Sequence, residues 1–393
     1  MTVLRFRWLS LQRSDLRSGA HGVALRALPP FLAFAAPTIM LVVAAAAQKL
    51  SFFDPSLWNR WDAAQYLSIA TRGYELMPCP QGGAYRPSDW CGNCGWFPGY
   101  PWIIAALARL HAHPVYAGLI ASWVFNYGTL WIVWNKFLKS EWTVDNVAAL
   151  AFAAFFPGYV FHHAVFPISM FVFFAALSIH LAVREKWLLS GLSGAASAFS
   201  YSTGFMLGPV LAVWMLIQYP PRSRRDLARL AGRMVLTAGL TVSGFALVLL
   251  LQRVTVGAWN AFFKIHEHYG QGLNNPVDAL VTHVRLAVTS EKHPLTSIQL
   301  LLFAVLVVGM VRATEARNRL GEPLDSALVI YLIVFWLVPL AAGGMVTNRS
   351  ESTLMPCAYL LRNMPRSFQV FVVLGMVFID WEMANMFYKQ TLI

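Results

Sequence analysis

Charged residues are scarce in this 393-residue sequence: Asp, Glu, Lys and Arg make up 12 % of it, against about 25 % in soluble proteins. Hydrophobic residues make up 58 %, and mean hydropathy is +0.54. A soluble fold of this size has too little interior to hide that much apolar surface, so the solvent is lipid. Cysteine is scarce too, with four in all. Cys79, Cys91 and Cys94 share one polar loop, and Cys357 lies in an apolar stretch. The CxxC of Cys91 and Cys94 lacks the second pair that a zinc site needs. A disulfide among the three is expected if their loop faces an oxidising compartment; three free thiols are the alternative. The chain has no P-loop, no GxGxxG and no DxD. Those absences argue against nucleotide phosphates cradled at a helix N-terminus and against a metal-dependent nucleotide-sugar enzyme. No repeat of fixed period and no low-complexity segment is present.

The charge that exists is clustered. Lys and Arg number 30 against 18 Asp and Glu, a formal +12. Arg5, Arg7, Arg13, Arg17 and Arg26 precede the first apolar run; Arg222, Arg224, Arg225, Arg229 and Arg233 share one loop, and Arg312, Arg317 and Arg319 another. Clusters flanking apolar segments are what cytoplasmic loops carry. A nucleic-acid footprint needs a contiguous basic face, which scattered loops do not supply. Residues 1–27 therefore read as a basic cytoplasmic terminus. The run 28–50 is long enough to span and reads as an uncleaved signal anchor.

Apolar segments recur at about 28–50, 97–112, 115–135, 146–161, 164–183, 188–201, 204–219, 232–251, 296–312, 325–346, 352–364 and 367–387. Several fall short of the roughly 20 residues a spanning helix needs, and Pro157, Pro167, Pro209, Pro339 and Pro356 interrupt or cap others. Broken helices are tolerated in a membrane where protein or a cavity satisfies the freed backbone. Placing every basic loop on one side requires an odd number of crossings between 97 and 135, so 97–112, with its prolines and paired His111 and His113, is expected to stop short. The expectation is an all-α polytopic protein of about eleven crossings, twelve being the alternative, with 28–393 as one transmembrane domain. Residues 51–96 and about 252–295 form its outer loops. The second loop holds His266, His268, His283 and His293, whose spacing favours loop histidines over a metal site.

Within the first outer loop, 58–74 reads as a helix with Ala63, Tyr66, Leu67, Ala70 and Tyr74 along one stripe. Trp58, Trp61, Tyr66 and Tyr74 are residue types that settle at headgroup depth, and Gly73 is a reasonable stop. The picture is an interfacial amphipathic helix. Asp62 stands out: a carboxylate beside two tryptophans at a lipid boundary can take a proton from a hydroxyl. The plainer reading makes it a helix-end charge paired with Arg60 or Arg72. Asp380-Trp381-Glu382 reads as the interfacial end of the last span, not a metal site.

Arg60-Trp61-Asp62-Ala63 through Ile69-Ala70 and Gly73-Tyr74, followed by Phe97-Pro98-Gly99-Tyr100-Pro101, resembles the PIG-V family, whose eukaryotic members add the second mannose in GPI-anchor assembly. Phe156-Pro157-Gly158 with Phe161 is similar to that family's Pro-containing helix end, and Arg349 before Pro356 and Tyr359 to its C-terminal Arg-containing turn. The resemblance implies GT-C-type architecture and a glycosyltransferase that takes a mannosyl or other hexosyl residue from a polyprenyl-phosphate sugar on the extracytoplasmic side. It implies inversion at the anomeric carbon, with Asp62 as general base. The substrate-binding candidates are Arg60, Trp61, Tyr66, His162, His163 and Arg349, with Arg349 matching the phosphate. For His162 and His163, helix-end residues facing headgroups are the plainer reading. Two departures stand against the family pattern. Phe166-Pro167-Ile168 replaces a Tyr-Ser-Glu, and Tyr201-Ser202-Thr203-Gly204 replaces an Arg before Ser-x-Gly.

The implied partners are the polyprenyl-phosphate sugar donor, a glycolipid or glycan acceptor and the lipid bilayer, with no nucleic acid, no metal and no cofactor. The implied location is a bacterial inner (plasma) membrane, or the ER membrane in a eukaryote. A transporter of lipid-linked sugars would show inverted repeats, which are not visible. A non-catalytic binder of such lipids is kept open by the missing Glu and Arg.

Overall fold

The computed structural model describes residues 20–80, 86, 88–268, 275–289, 294–341 and 347–392. Among the described residues, six helices are long and apolar enough to cross a membrane: Leu25–Ala47, Pro114–Phe137, Arg224–Val256, Ser297–Ala316, Pro323–Ala341 and Arg366–Tyr388. Four shorter apolar helices, Gly99–Ala108, Val144–Ala154, Ile168–Val183 and Ser202–Gln218, accompany them. The expected eleven crossings are therefore not what the helix lengths give.

In chain order the helices are α1 (Ala20–Ala47), α2 (Ala63–Arg72), α3 (Gly99–Ala108), α4 (Pro114–Ile132), α5 (Val144–Ala154), α6 (Val160–His163), α7 (Ile168–Val183), α8 (Trp187–Ser200) and α9 (Leu207–Gln218). They continue as α10 (Arg224–Met234), α11 (Leu240–Val256), α12 (Ala261–His268), α13 (Pro276–Thr289), α14 (Pro294–Ala316), α15 (Pro323–Ala341), α16 (Thr347–Ser352) and α17 (Arg366–Tyr388). A two-stranded antiparallel hairpin, β1 (Leu76–Pro78) and β2 (Trp90–Gly92), completes the set.

The basic loops gather at one end of the bundle. There Arg366 pairs with Asp145 (3.2 Å), Arg233 approaches Glu185 (3.9 Å), and Asn135 Nδ2 donates to the Arg26 carbonyl (3.2 Å). Asp325, buried at 1 % exposure, accepts two bonds from Arg319 and one each from Tyr359 and Asn363. The opposite end carries the 48–62 segment, where Tyr116 Oη donates to the Phe53 carbonyl (2.7 Å) and Trp58 packs on Phe387.

Small residues let the central helices close on one another, which matters where lipid removes the hydrophobic drive between helices. Ser178 and Ser190 each donate to the other's carbonyl at 2.8 Å, tying α7 to α8. A Cβ on Gly244 would lie 2.2 Å from the Ala195 carbonyl oxygen, so α11 reaches α8 only because position 244 has no side chain.

The α5–α7 hairpin is the feature that positions the site. α5 has 11 residues, about 16 Å of helix, roughly half of a ~30 Å hydrocarbon layer. Its turn, 155–167, therefore ends within the bundle rather than beyond it. α3, with 10 residues, also stops short, as expected for 97–112. It folds back along α4, and Tyr100 Oη donates to the Gly118 carbonyl (2.8 Å). The polar stretch 252–295, expected as an outer loop, carries the end of α11 and the helices α12 and α13. Two expectations need correction. The apolar run 352–364 holds a buried 3-10 segment, Met355–Asn363, with Pro356 in its first turn. Asp380 is fully buried inside α17, not at its end.

Candidate functional site

The chain enters the site through a tight series of turns. Pro55–Leu57 forms a 3-10 turn capped by Asp54, whose carboxylate accepts from Ser56 N–H and is held below its ordinary pKa chiefly by that bond. Trp58 Nε1 donates to the Phe52 carbonyl (2.9 Å), and its ring is buried against Phe387 and Tyr388. Trp61 then adopts φ +47°. A bulky residue in the left-handed region costs about 1–3 kcal/mol, which contact between its ring and Phe387 (5.3 Å) helps to offset. The turn delays the start of the expected 58–74 helix, so that α2 begins only after Asp62.

Asp62 occupies the N-cap position of α2, yet its side chain caps nothing. An N-cap Asp ordinarily accepts a backbone N–H; here the carboxylate instead forms an ion pair with Arg349, 287 residues away in sequence. Neither of the plainer partners takes it. Arg72 pairs with Glu75 (3.0 Å), and Arg60 Nε donates to the Leu57 carbonyl (3.2 Å). The positive end of the α2 dipole adds to the field that favours an anion here. The Asp62 and Arg349 side chains are 24 % and 23 % exposed, so a substrate group can reach the pair.

Arg349 is presented by a break in the backbone. α16 ends at Ser352 before the 3-10 segment, which frees carbonyls within the bundle. His162 Nε2 hydrogen-bonds to the Ser352 carbonyl (3.0 Å), and Tyr331 Oη donates to that of Thr353 (2.7 Å). Broken helices persist within a bundle when neighbours satisfy such groups. Burial alone would lower the Arg349 pKa, but Asp62, with the Tyr201 and Tyr66 oxygens, holds it above the ordinary value. Its guanidinium lies over the Phe166 ring (5.9 Å), on which Tyr66 also packs edge-on (6.1 Å).

His162 and His163 do not face headgroups; both are buried. Since a carbonyl only accepts, His162 carries its proton on Nε2, and Nδ1 has no partner among the described residues. For His163, Asn126 Nδ2 donates to Nε2 (3.1 Å) and Nδ1 faces Thr38 Oγ1 (3.5 Å), so both ring nitrogens are engaged. Burial lowers the two pKa values to about 4 and about 3 respectively, and His162 lowers that of His163 further. Both rings are neutral at pH 7. His162 thus touches the Arg349 turn rather than open space.

No family model matches this chain, and no curated protein matches it. Solved structures do. The Archaeoglobus fulgidus oligosaccharyltransferase in complex with Zn and sulfate is similar over 92 % of this chain, at 11 % identity and a TM-score of 0.49. The archaeal oligosaccharyltransferase AglB from the same organism, in complex with an inhibitory peptide and a dolichol-phosphate, is similar over 91 %, at 11 % identity and a TM-score of 0.48. This chain spans about half the length of those proteins, 53 % and 56 %.

The far edge of α2 is braced by the hairpin. Cys79 and Cys91 form a disulfide, while Cys94 is free and buried; the CxxC pair is therefore not the bonded one. Burial pushes the Cys94 thiol up to about 12. Asn93 Nδ2 donates to the Gly73 carbonyl (3.0 Å) and Ser68 Oγ (2.9 Å), and its Oδ1 accepts from Glu75 N–H (2.8 Å). Two groups went unnoticed in the sequence: Asn93, and the buried Glu351–Gln299 contact (2.8 Å). Burial raises Glu351 to about 8. Glu351 stands two residues past Arg349 in a polar run, Thr-Asn-Arg-Ser-Glu-Ser-Thr, so nothing in its pattern signalled the last. Of the four expected loop histidines, His266 stacks near Phe262 (4.2 Å). The side chains of His268 and His283, and all of His293, lie outside the described residues. Among the described residues no group of three or more His, Cys, Asp or Glu gathers as a metal set.

Proposed function

We propose that this chain is a membrane glycosyltransferase of the PIG-V kind, transferring a mannosyl or related hexosyl residue from a polyprenyl-phosphate sugar to a hydroxyl acceptor. The observation that carries the reading is the abandoned N-cap: Asp62 gives up its helix to meet a guanidinium from the far end of the sequence. A carboxylate and a guanidinium side by side are the two charges the reaction uses. The acceptor oxygen attacks the anomeric carbon as Asp62 takes its proton. The anomeric C–O bond breaks, its electrons leave with the polyprenyl phosphate, and Arg349 meets the charge that develops there. Attack from the face opposite the phosphate inverts the centre, so on this reading the donor parts the resting ion pair and the sugar lies between carboxylate and guanidinium. Tyr66 borders the acid, Trp61 and Arg60 shape the turn before it, and His162 holds the Arg349 turn. His163 has no ring nitrogen to spare and is assigned to the frame.

On this reading the site faces the extracytoplasmic side and the basic end is cytoplasmic. The test is transfer by the purified protein in detergent or vesicles, supplied with radiolabelled polyprenyl-phosphate mannose and lipid or glycan alcohols. The expected result is labelled product of inverted configuration with equimolar polyprenyl phosphate. If no alcohol drew label from that donor or from other polyprenyl-phosphate hexoses, and the protein merely bound or moved the lipid, the reading would fall.

A further inference from the structure

The seam between α5 and α17 holds an apolar groove of about 450 Å³, within the ~300–1,000 Å³ of ligand pockets. Ala148 and Ala151 line it on α5, where small side chains leave room, and Val370 and Leu374 line it on α17. Leu374 is 65 % exposed, so the groove opens outward and is no part of the core. Its polar lining, Trp142 and Thr143, is confined to one end, just before α5 begins. From Thr143 to Ala151 the groove follows about 12 Å of chain, close to a single leaflet's share of a ~30 Å hydrocarbon layer. Apolar along its length and polar at its mouth, it has the build of a lipid's tail and head.

The mouth lies at the basic end of the bundle. Arg366 precedes Val370 and Leu374 on one stripe of α17, at positions i, i+4 and i+8. Its side chain is 70 % exposed. Arg366 Nε donates to Asp145 (3.2 Å), and its Nη groups make no hydrogen bond among the described residues. Arg317 Nη2 donates to the Met364 carbonyl (3.5 Å), which brings a second guanidinium to the same corner. Two guanidiniums against the single Asp145 carboxylate leave this corner positive. Thr143 Oγ1 accepts from Asn146 N–H (3.2 Å), so its own proton remains to be donated. Trp142 packs edge-on against Trp134 (5.4 Å), and its indole N–H can only donate. The mouth thus presents donors and positive charge, which suit an acceptor-rich anion.

We propose that this groove binds a membrane phospholipid of net negative charge, with one acyl chain between α5 and α17 and the phosphate at Arg366. Basic pockets between spanning helices hold anionic heads on the same principle. The site is separate from the Asp62–Arg349 pair and does not depend on the glycosyltransferase reading. Both of its walls nevertheless lead to that pair. α5 runs into the 155–167 turn, whose His162 bonds the Ser352 carbonyl (3.0 Å), and the far end of α17 packs through Phe387 on Trp58 and Trp61. A lipid in the seam braces the frame from its open side.

The test is lipid retention by the purified full chain through detergent exchange, read by native mass spectrometry. Phosphatidylglycerol, phosphatidylethanolamine and polyprenyl phosphate are each added. The expected result is one phosphatidylglycerol held per chain in preference to phosphatidylethanolamine, with a raised melting temperature. Arg366→Gln should weaken phosphatidylglycerol ~10- to 100-fold, the loss of a bond to a charged group, and leave phosphatidylethanolamine unchanged. Arg366→Lys, which keeps the charge, should keep the preference. Ala148→Phe fills the groove and should abolish retention while melting like wild type in lipid-free detergent; if it does not fold, Arg366→Gln decides. Equal retention of the two phospholipids overturns the proposal, as does unchanged phosphatidylglycerol binding in Arg366→Gln or in folded Ala148→Phe. Polyprenyl phosphate displacing phosphatidylglycerol, or a dimer that Ala148→Phe disperses, would give the groove to another occupant and overturn it too.

Discussion

Replacing Arg349 with Gln removes the guanidinium and leaves Asp62 without its partner. Separating a fully buried ion pair costs about 3–5 kcal/mol, whereas an exposed pair is worth about 0–1 kcal/mol. With the two side chains about a quarter exposed, solvent screens part of the loss, and a destabilisation of ~1–2 kcal/mol is expected. That is too little to unfold a protein with a margin of roughly 5–15 kcal/mol. The catalytic loss should be larger: withdrawing one preorganised donor from a developing charge costs about 10²–10³ in kcat. The two effects separate by leaving group. Turnover of Arg349→Gln and wild type would be compared with polyprenyl-phosphate mannose and with mannosyl fluoride, whose leaving group carries no phosphate. The deficit should approach that ~10²–10³ with the lipid donor and shrink toward unity with the fluoride. Arg349→Lys, which keeps the charge but not the planar fork, should fall between. An equal deficit with both donors, or none with the lipid, would refute the assignment of Arg349 to the leaving phosphate.

Three further predictions follow from the same geometry. Glu351 has a folded pKa of about 8, above its unfolded value. Its contribution is thus fully present below about pH 4.5 and lost as pH rises toward 8. Glu351→Gln should therefore be more stable than wild type at pH 8, by on the order of a few kcal/mol, and little changed at pH 4.5, as read from thermal unfolding. Breaking the Cys79–Cys91 bridge with two serines opens a loop with a sequence separation of 12 and should cost the hairpin ~3 kcal/mol. Limited proteolysis at 79–91 should then rise sharply while the helical bundle melts near its original temperature. Gly99→Ala forces a Cβ onto backbone at Phe199 and Ser200. It should lower the melting temperature, because backbone at 199–200 cannot give way as a flexible side chain would.

The sequence was most legible where the signal is local. Apolar runs and Arg clusters marked a helical membrane bundle with its basic loops on one side, and proline-broken segments near 157 and 356 marked interrupted backbone. Asp62 and Arg349 could each be picked as candidates. Their meeting could not be derived, because 287 residues separate them and no periodicity reports a contact of that range. The reading failed where tertiary forces outweigh the local pattern. The stripe from 58 to 74 looked helical throughout, but Trp61 trades helical geometry for contact with Phe387. Asp380 looked interfacial because acids seldom lie deep in a membrane, yet α17 buries it.

The account stands on Asp62 accepting the acceptor's proton. The most direct measurement is the single-turnover rate of sugar transfer by Asp62→Asn, an isosteric change that keeps the Arg349 hydrogen bond while removing the basic oxygen. A rate ~10²–10⁴-fold below wild type, in protein that is folded and still binds the lipid donor, is the result predicted. Transfer at the wild-type rate would contradict it.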